Sequence, residues 1–454
     1  MAGADAPTLR WSGIVRLGLV QTALGAIVVL CTSTLNRVMV VELALPALLP
    51  GLLVAFHYGV QMVRPRFGHG ADVGGRTTPW IVGGMAVLAL GGIGATAATA
   101  LMAVNPTLGV LAAIVAYAMI GLGVGAAGTS QLTLLAKTVA PHLRAPAATT
   151  LWIMMIVGFA VTAGITGHFL QPFSFGRLVL VHSVAATLAF AVAVLAIRGL
   201  EDRARAAHDP AAPATPTGGF REALGAVWAQ SEARLFTVFV FVASLAYSMQ
   251  ELILEPYAGL AFGMSPGETT QLSGAQHGGA LAGMLLVAVA GGLAKRLVGR
   301  RFVSLRTWMI GGCLASAAML ALLAAADWFG PGFPLAAVVF ALGVGNGAFT
   351  IAALGSMMEL AGAPKDGREG LRMGLWGAAQ AIAFAAGGLL GTGLVDLVRY
   401  VYADPLGAYG IVFGIESGMF VAAAALAASL GGLRAAATRA APPRAAPGYA
   451  MPRH

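Results

Sequence analysis

Predominantly apolar runs, each long enough to cross a bilayer, recur through almost the whole chain, and this recurrence sets the fold class before any motif is read. A helical span needs about 20 apolar residues, and twelve runs qualify, at about 14–35, 47–64, 79–102, 108–136, 147–169, 177–197, 233–258, 272–294, 303–325, 333–360, 371–395 and 407–432. Backbone in hydrocarbon has no water to bond, so runs of this length are read as helices. The chain is 58% apolar and only 10% charged, against about 25% charged in an average soluble domain. The expectation is an all-α membrane protein with twelve transmembrane helices. Arg10 and Arg16 precede the apolar run 17–30 much as in a signal peptide. No small-residue cleavage site interrupts that run, which is therefore read as a retained first span.

The basic residues sort onto one side of this arrangement. All of the 27 Lys and Arg except Arg37, Arg177 and Arg399 fall in the termini, the central linker or alternate loops. Cytoplasmic loops carry the excess of Lys and Arg, so both termini and the linker are expected on the cytoplasmic side of the membrane. The net charge of +9 then reflects membrane orientation and does not point to nucleic acid. Lipids are the implied surroundings. Cys31 and Cys313 lie within apolar runs and read as small packing residues rather than a disulfide or metal pair.

The linker has two parts. The stretch 201–219 carries Pro210, Pro213 and Pro216 and reads as irregular, whereas Phe220, Leu224, Val227 and Trp228 recur at helical spacing. That spacing suits either an amphipathic helix on the membrane surface or a helical lead into the seventh span. The expected division is a six-helix half at 1–197, the linker at 198–231, a second six-helix half at 232–432, and an Ala-, Pro- and Arg-rich tail at 433–454 that reads as disordered. Gly121-x-Gly123-x-Gly125 in the fourth span is echoed by Gly343-x-Gly345-x-Gly347 in the tenth. These runs mark close helix crossings.

Between the second and third spans lies a polar stretch, Arg64-Pro65-Arg66-Phe67-Gly68-His69-Gly70-Ala71-Asp72-Val73-Gly74-Gly75-Arg76-Thr77-Thr78-Pro79-Trp80. Its Gly68, Asp72, Gly75 and Arg76 follow the G-x-x-x-D-x-x-G-R spacing and so resemble the signature loop of the major facilitator superfamily. The resemblance implies two six-helix pseudo-repeats, the major facilitator fold. A degenerate echo at 291–301 has Lys295 where the acidic residue would stand. The Gly-Pro pair that some drug–proton antiporters carry in the fifth span is absent, and Gly158, Gly164 and Gly167 stand there without proline.

No catalytic constellation is present: there is no G-x-x-x-x-G-K-[ST], C-x-x-C, H-E-x-x-H or G-x-S-x-G. The chain is not expected to be an enzyme. Its informative residues are polar groups at membrane depth, where a charge costs roughly 2.5–3.5 kcal/mol on insertion scales and usually faces the bundle interior. Asn36, Arg37 and Glu42 follow the first span, with Arg37 and Glu42 spaced to pair. Gln250, Glu251 and Glu255 hold the corresponding place late in the seventh. Together they line one face of a central cavity or, alternatively, sit solvated at the outer interface. His57, Tyr58 and Gln61 lie in the second span, and Gln276 and His277 in the eighth. A neutral imidazole nitrogen can bind a metal, including the magnesium of a chlorophyll, although a buried His is more often a hydrogen-bonded core residue. Glu359 ends the tenth span, and Glu416 lies inside the twelfth as the better candidate for a functional charge.

A longer run is more specific: Thr34-Leu35-Asn36-Arg37-Val38-Met39-Val40-Val41-Glu42-Leu43, then Phe56-His57-Tyr58-Gly59-Val60-Gln61 and Arg64-Pro65-Arg66-Phe67-Gly68. It resembles the PucC/LhaA-like family, the bacteriochlorophyll-delivery branch of the superfamily, over nearly all twelve spans. Leu35-Asn36-Arg37 and Arg76-Thr77-Thr78-Pro79-Trp80 are most similar to the group associated with bacteriochlorophyll synthesis genes. The matched positions are Asn36, Arg37, Glu42, His57, Gly68, Asp72, Gly75 and Arg76. The resemblance implies an assembly factor of the photosynthetic membrane, with bacteriochlorophyll as a ligand and light-harvesting antenna subunits as partners. Two other readings stand beside it. One is a proton-coupled secondary transporter of a small solute, with Glu42, Glu251, Glu255 and Glu416 as proton carriers. The other is a structural partner whose Gly and Ala grooves receive nascent antenna helices.

Overall fold

The computed structural model describes residues 9–63, 76–140, 143–205, 225, 227–297, 304–362, 369–402 and 405–440, and all regular structure among them is helical. In chain order the long helices are α1 (Trp11–Glu42), α2 (Leu48–Val63), α3 (Thr78–Met102), α4 (Pro106–Thr138), α5 (Arg144–Phe169), α6 (Phe175–Ile197), α7 (Ser231–Phe262), α8 (Pro266–Leu297), α9 (Leu305–Ala324), α10 (Leu335–Gly362), α11 (Glu369–Tyr402) and α12 (Pro405–Ala440). Eleven are long and apolar enough to cross a membrane, and α2 is a shorter apolar helix.

Several boundaries differ from expectation, among them the start of α8 at Pro266 and the end of α11 at Tyr402, and three others have identifiable reasons. α1 does not stop near residue 35; two π-helical turns, Leu30–Thr34 and Val38–Glu42, carry it to Glu42. Asn36 and Arg37 therefore lie within a helix rather than after one, because neighbouring helices supply their side-chain partners. α7 continues to Phe262 and closes at Gly263, whose φ of 63° is the left-handed conformation that favours glycine. α12 runs on to Ala440, so the first part of the expected disordered tail is helical; residues 441–454 lie outside the described residues.

In the linker, residues 227–229 are helical, with Val227 buried and Trp228 exposed, while Phe220 and Leu224 lie outside the described residues. So do Gly68, Asp72 and Gly75 of the signature loop, together with 298–303 of its echo.

Helix ends are closed by dedicated partners. Asn105, Ser174 and Ser304 each accept from a backbone N–H of the first turn that follows. The N-terminus of α3 is capped from outside. Glu201, in the short helix Leu200–Arg205, accepts from the N–H of Thr77 (2.7 Å) and Thr78 (2.8 Å) and from the Thr77 hydroxyl. Beside it, Arg76 approaches Asp202 at 3.5 Å, an exposed pair.

Two large hydrophobic clusters form among the described residues, beside two small ones, Val29, Leu30 and Ala163 in one and Ile156, Ala280 and Met284 in the other. Of the large clusters, one is built from residues between Ile14 and Leu200 together with Leu252, the other from residues between Val227 and Ala427. Glycines let the helices within them touch. A methyl on Gly121 would meet the His57 carbonyl of α2, and one on Gly123 the backbone of α3 at Leu88. In the second triplet, Gly343 meets the Gln276 carbonyl of α8, Gly345 meets α9 at Ser316, and Gly347 meets the Ala280 carbonyl of α8. Both triplets thus mark backbone crossings in the same relative pattern. α5 and α8 also cross closely, Gly167 on Gly267 and Gly274 on Gly164. Leu180, Val184, Leu188 and Leu195 stay exposed along one face of α6, as expected of a side that meets lipid.

Gly123→Ala and Gly347→Ala each push a methyl into a neighbouring backbone and are expected to destabilise by about 1–3 kcal/mol. Gly311→Ala, with nothing within 4 Å of the added carbon, is expected to be neutral or stabilising. The order of apparent melting temperatures in detergent checks both.

Candidate functional site

From Leu30 to Val40 every residue of α1 is buried, although five of them, Thr32, Ser33, Thr34, Asn36 and Arg37, are polar or charged. The wide turns rotate these side chains toward several neighbours at once. Within the first wide turn the Tyr117 hydroxyl of α4 donates to the Cys31 carbonyl at 2.8 Å. Ser33 donates to the Ser273 hydroxyl (2.9 Å), and Thr34 pairs with the Thr270 hydroxyl (3.0 Å), both on α8. Asn36 donates through Nδ2 to the Leu252 carbonyl of α7. Arg37 pairs through Nη1 with Glu42 and donates through Nη2 to the Met264 carbonyl at 2.7 Å. It lies flat on α7 because position 259 is glycine; a methyl there would be 3.0 Å from the guanidinium.

At the same end of the bundle, Asp396 of α11 caps α2 by accepting from the N–H groups of Ala47 (3.2 Å) and Leu48 (2.7 Å). These bonds form a seam that joins α1 and α2 to α7, α8 and α11.

Glu255 sits in this seam, 2% exposed. Arg37 of α1 and the Ser273 and Thr269 side chains of α8 face it. Neither carboxyl oxygen has a hydrogen bond of normal geometry among the described residues. The same holds for Nε of Arg37, Oδ1 of Asn36 and both terminal atoms of Gln250. Apart from Glu42, which keeps contact with the surface, this group is buried rather than solvated.

His277 stands one turn beyond Ser273 on α8. Its Nδ1 lies 2.9 Å from the Ser273 carbonyl, and Phe159 of α5 meets the ring edge-on with centroids 5.0 Å apart. A carbonyl only accepts, so Nδ1 carries the proton and the Nε2 lone pair is left open. Nε2 has no hydrogen-bond partner among the described residues.

His57 differs. Its Nδ1 lies 3.2 Å from the Val54 carbonyl, and its Nε2 lies 2.8 Å from Nε2 of Gln61, so both ring nitrogens are engaged. Tyr58, next to it, stacks on Phe384 of α11, and Tyr247 of α7 meets the same Phe384 edge-on. Tyr247 is also within electrostatic reach of half-buried Glu251.

The candidates therefore gather into two groups. Arg37, Asn36 and Glu255 gather where α1, α7 and α8 pack, and His277 lies one turn further along α8, against Phe159 of α5. His57, Gln61 and Glu251 meet where α2, α7 and α11 pack. Glu416 stands apart from both, fully buried on α12 beside Ser417, which donates to the Ala317 carbonyl of α9. Glu359 is exposed, and Cys31 and Cys313 are both buried free thiols.

The sequence reading passed over Ser33, Thr34, Thr270, Ser273 and Asp396. Their signal was available: hydroxyls next to Asn36-Arg37 inside an apolar run, and a single acid near the end of the eleventh span. Also passed over is His182 of α6, buried with Nδ1 3.0 Å from the Thr96 hydroxyl and Nε2 without a hydrogen-bond partner among the described residues. Among the described residues no group of three or more His, Cys, Asp or Glu is placed to hold a metal ion.

A double-mutant cycle on Thr34→Val and Thr270→Val, read by unfolding in detergent, is expected to give a coupling of about 0.6 kcal/mol and no more than about 1.7, the range seen for side-chain bonds between membrane helices.

A family model described as "PUCC protein" matches residues 34–434. The "Bacteriochlorophyll synthase 44.5 kDa chain" of Rhodobacter capsulatus is 49% identical over 430 residues, covering 95% of this chain and 98% of that one. Protein PucC of Rhodobacter capsulatus is 30% identical over 456 residues, covering 95% and 94%. Among solved structures, a D-xylose-proton symporter matches with a TM-score of 0.66 at 14% identity, covering 92% of this chain and 97% of that one. A structure from a study of substrate recognition in proton dependent oligopeptide transporters matches with a TM-score of 0.64 at 17% identity, covering 94% and 99%. At these identities the structural likeness concerns the fold, which is that of the major facilitator superfamily.

Proposed function

The chain belongs to the PUCC protein family, and from that membership we propose that it is an assembly factor of the photosynthetic membrane that binds bacteriochlorophyll and delivers it to light-harvesting subunits. It acts as a carrier rather than a synthase: it holds the pigment without changing it chemically. The excess of Lys and Arg on one side supports an inner-membrane location with both termini in the cytoplasm. The curated relatives support the tie to photosynthetic pigment, one being named for bacteriochlorophyll synthase and others PucC.

The observation that carries the reading is the His277 tautomer. The Ser273 carbonyl orients the ring and holds the proton on Nδ1, as an outer partner does for a metal-bound histidine. Bacteriochlorophyll, when bound, would supply a magnesium ion that takes a nitrogen ligand. Nε2 of His277 is the candidate donor, and Phe159 fixes the plane of its ring. His57, with both nitrogens occupied, takes a supporting role on the other side of α7.

Protein purified from a bacteriochlorophyll-producing host is expected to carry tetrapyrrole absorbance. His277→Ala should lower the pigment retained by roughly tenfold or more, the scale of losing a metal's supporting shell, while His57→Ala should retain most of it. Pigment-free protein from such a host, or an undiminished His277→Ala, would overturn the assignment. Precursor pigments incubated with the purified chain should be recovered unchanged.

A further inference from the structure

Glu255 has no part in the pigment site, and its surroundings are unusual for a buried acid. The side chain is 2% exposed, and neither oxygen has a hydrogen bond of normal geometry among the described residues, although two hydroxyls of α8 face it. The charged group that faces it is Arg37 of α1. From α8 come the hydroxyls of Ser273 and Thr269, with His277 one turn further on. On its own helix Glu251 lies one turn before and Gly259 one turn after.

Thr269 already donates to the Pro266 carbonyl, whereas Ser273, which accepts from Ser33, keeps its own O–H free to turn toward Glu255, a single neutral donor in place of a counter-charge. Arg37 is committed elsewhere, through Nη1 to Glu42 and through Nη2 to Met264. Because Gly259 lets the guanidinium lie on α7 one helical turn from Glu255, the two are neighbours without being bonded.

We propose that Glu255 is a proton-binding site whose occupancy holds the seam between α1, α7 and α8 closed. The argument follows from what each charge state requires. A neutral carboxyl fits the arrangement as it stands: Arg37 bridges Glu42 and the Met264 carbonyl, and no buried anion is left over. Loss of the proton from one carboxyl oxygen to water leaves an anion in the seam, and a buried unpaired charge is not tolerated. The anion either draws Arg37 away from Met264 or admits water to itself. The first removes the bond that ties α1 to Met264, and the second puts water between the packed helices. Glu42, which keeps contact with the surface, can be solvated when Arg37 leaves it.

The sign of the linkage follows. The closed seam holds the proton more tightly than the open one, so low pH favours closure and rising pH favours opening. The inference is independent of pigment, and its test contains none.

The reporter is a cysteine replacing Thr270, which is fully buried in the seam. It is introduced into the full-length chain in liposomes, with the same chain lacking the replacement measuring the background from Cys31 and Cys313. Maleimide labelling is followed across the pH range in which buried carboxyls titrate. Labelling is expected to be slow at low pH and to rise roughly tenfold in a single-proton step, a typical coupling between a ligand and a conformational change. Glu255→Gln, which keeps the neutral shape, should stay slow at every pH.

Infrared difference spectra of the unsubstituted chain give a second reading that does not depend on that variant's folding. The protonated-carboxyl band should disappear in step with labelling and persist as a titrating band in Glu251→Gln and Glu416→Gln. Labelling that does not change with pH would overturn the proposal. So would a Glu255→Gln chain that follows the parent, or a carboxyl band abolished by Glu251→Gln or Glu416→Gln.

Discussion

A polar group inside hydrocarbon can bond only to the protein, and most of what is specific in this chain follows from that constraint. It makes each apolar run a helix. It also explains the borrowed caps at helix ends. The first N–H groups of α2 and α3 have no partner within their own helices, and each pair is taken up by a carboxylate from elsewhere in the chain, Asp396 for α2 and Glu201 for α3. A carboxylate also suits the positive end of the helix dipole. One kind of interaction therefore caps a helix and ties together distant parts of the sequence.

The same constraint gives α1 its character. A helix that carries Thr32, Ser33, Thr34, Asn36 and Arg37 within six positions cannot meet lipid with any of them. Two π turns and a complete coat of neighbours resolve this by giving most of the polar atoms a partner across a helix boundary. Glycine makes the approach possible where Arg37 lies on α7 at Gly259, as it does where α4 crosses α2 and α10 crosses α8. Close backbone contact and a buried polar seam are thus two consequences of packing helices with no hydrophobic drive between them.

Much of this was legible in the sequence, and the parts that were not share a reason. Run length and hydropathy are local properties, so α3, α5 and α9 begin and end within a few residues of expectation. The glycine triplets are also local, and their role as crossings follows from residue size alone. The far end of α1 was hidden because a polar run after an apolar one reads as a helix end. Only the positions of α7 and α8 reveal that Asn36 and Arg37 have partners to bond. The difference between His57 and His277 was invisible for a similar reason. Both are single histidines in apolar spans, and what separates them is Gln61 one turn from one ring and no such donor beside the other. Ser273 is the plainest omission, an ordinary serine whose importance comes entirely from what surrounds it.

That serine joins the two halves of the functional argument. Its carbonyl orients His277, while its hydroxyl accepts from Ser33 and faces Glu255. A shift of α8 that releases Ser33 from Ser273 moves the backbone carbonyl that holds the imidazole, because both belong to one residue on a rigid turn. A ligand on Nε2 would thus bind a seam-closed and a seam-open chain with different strength, and by reciprocity it would bias the seam as the seam biases it. No long path of contacts is needed for such coupling, since a single helical turn of α8 carries it.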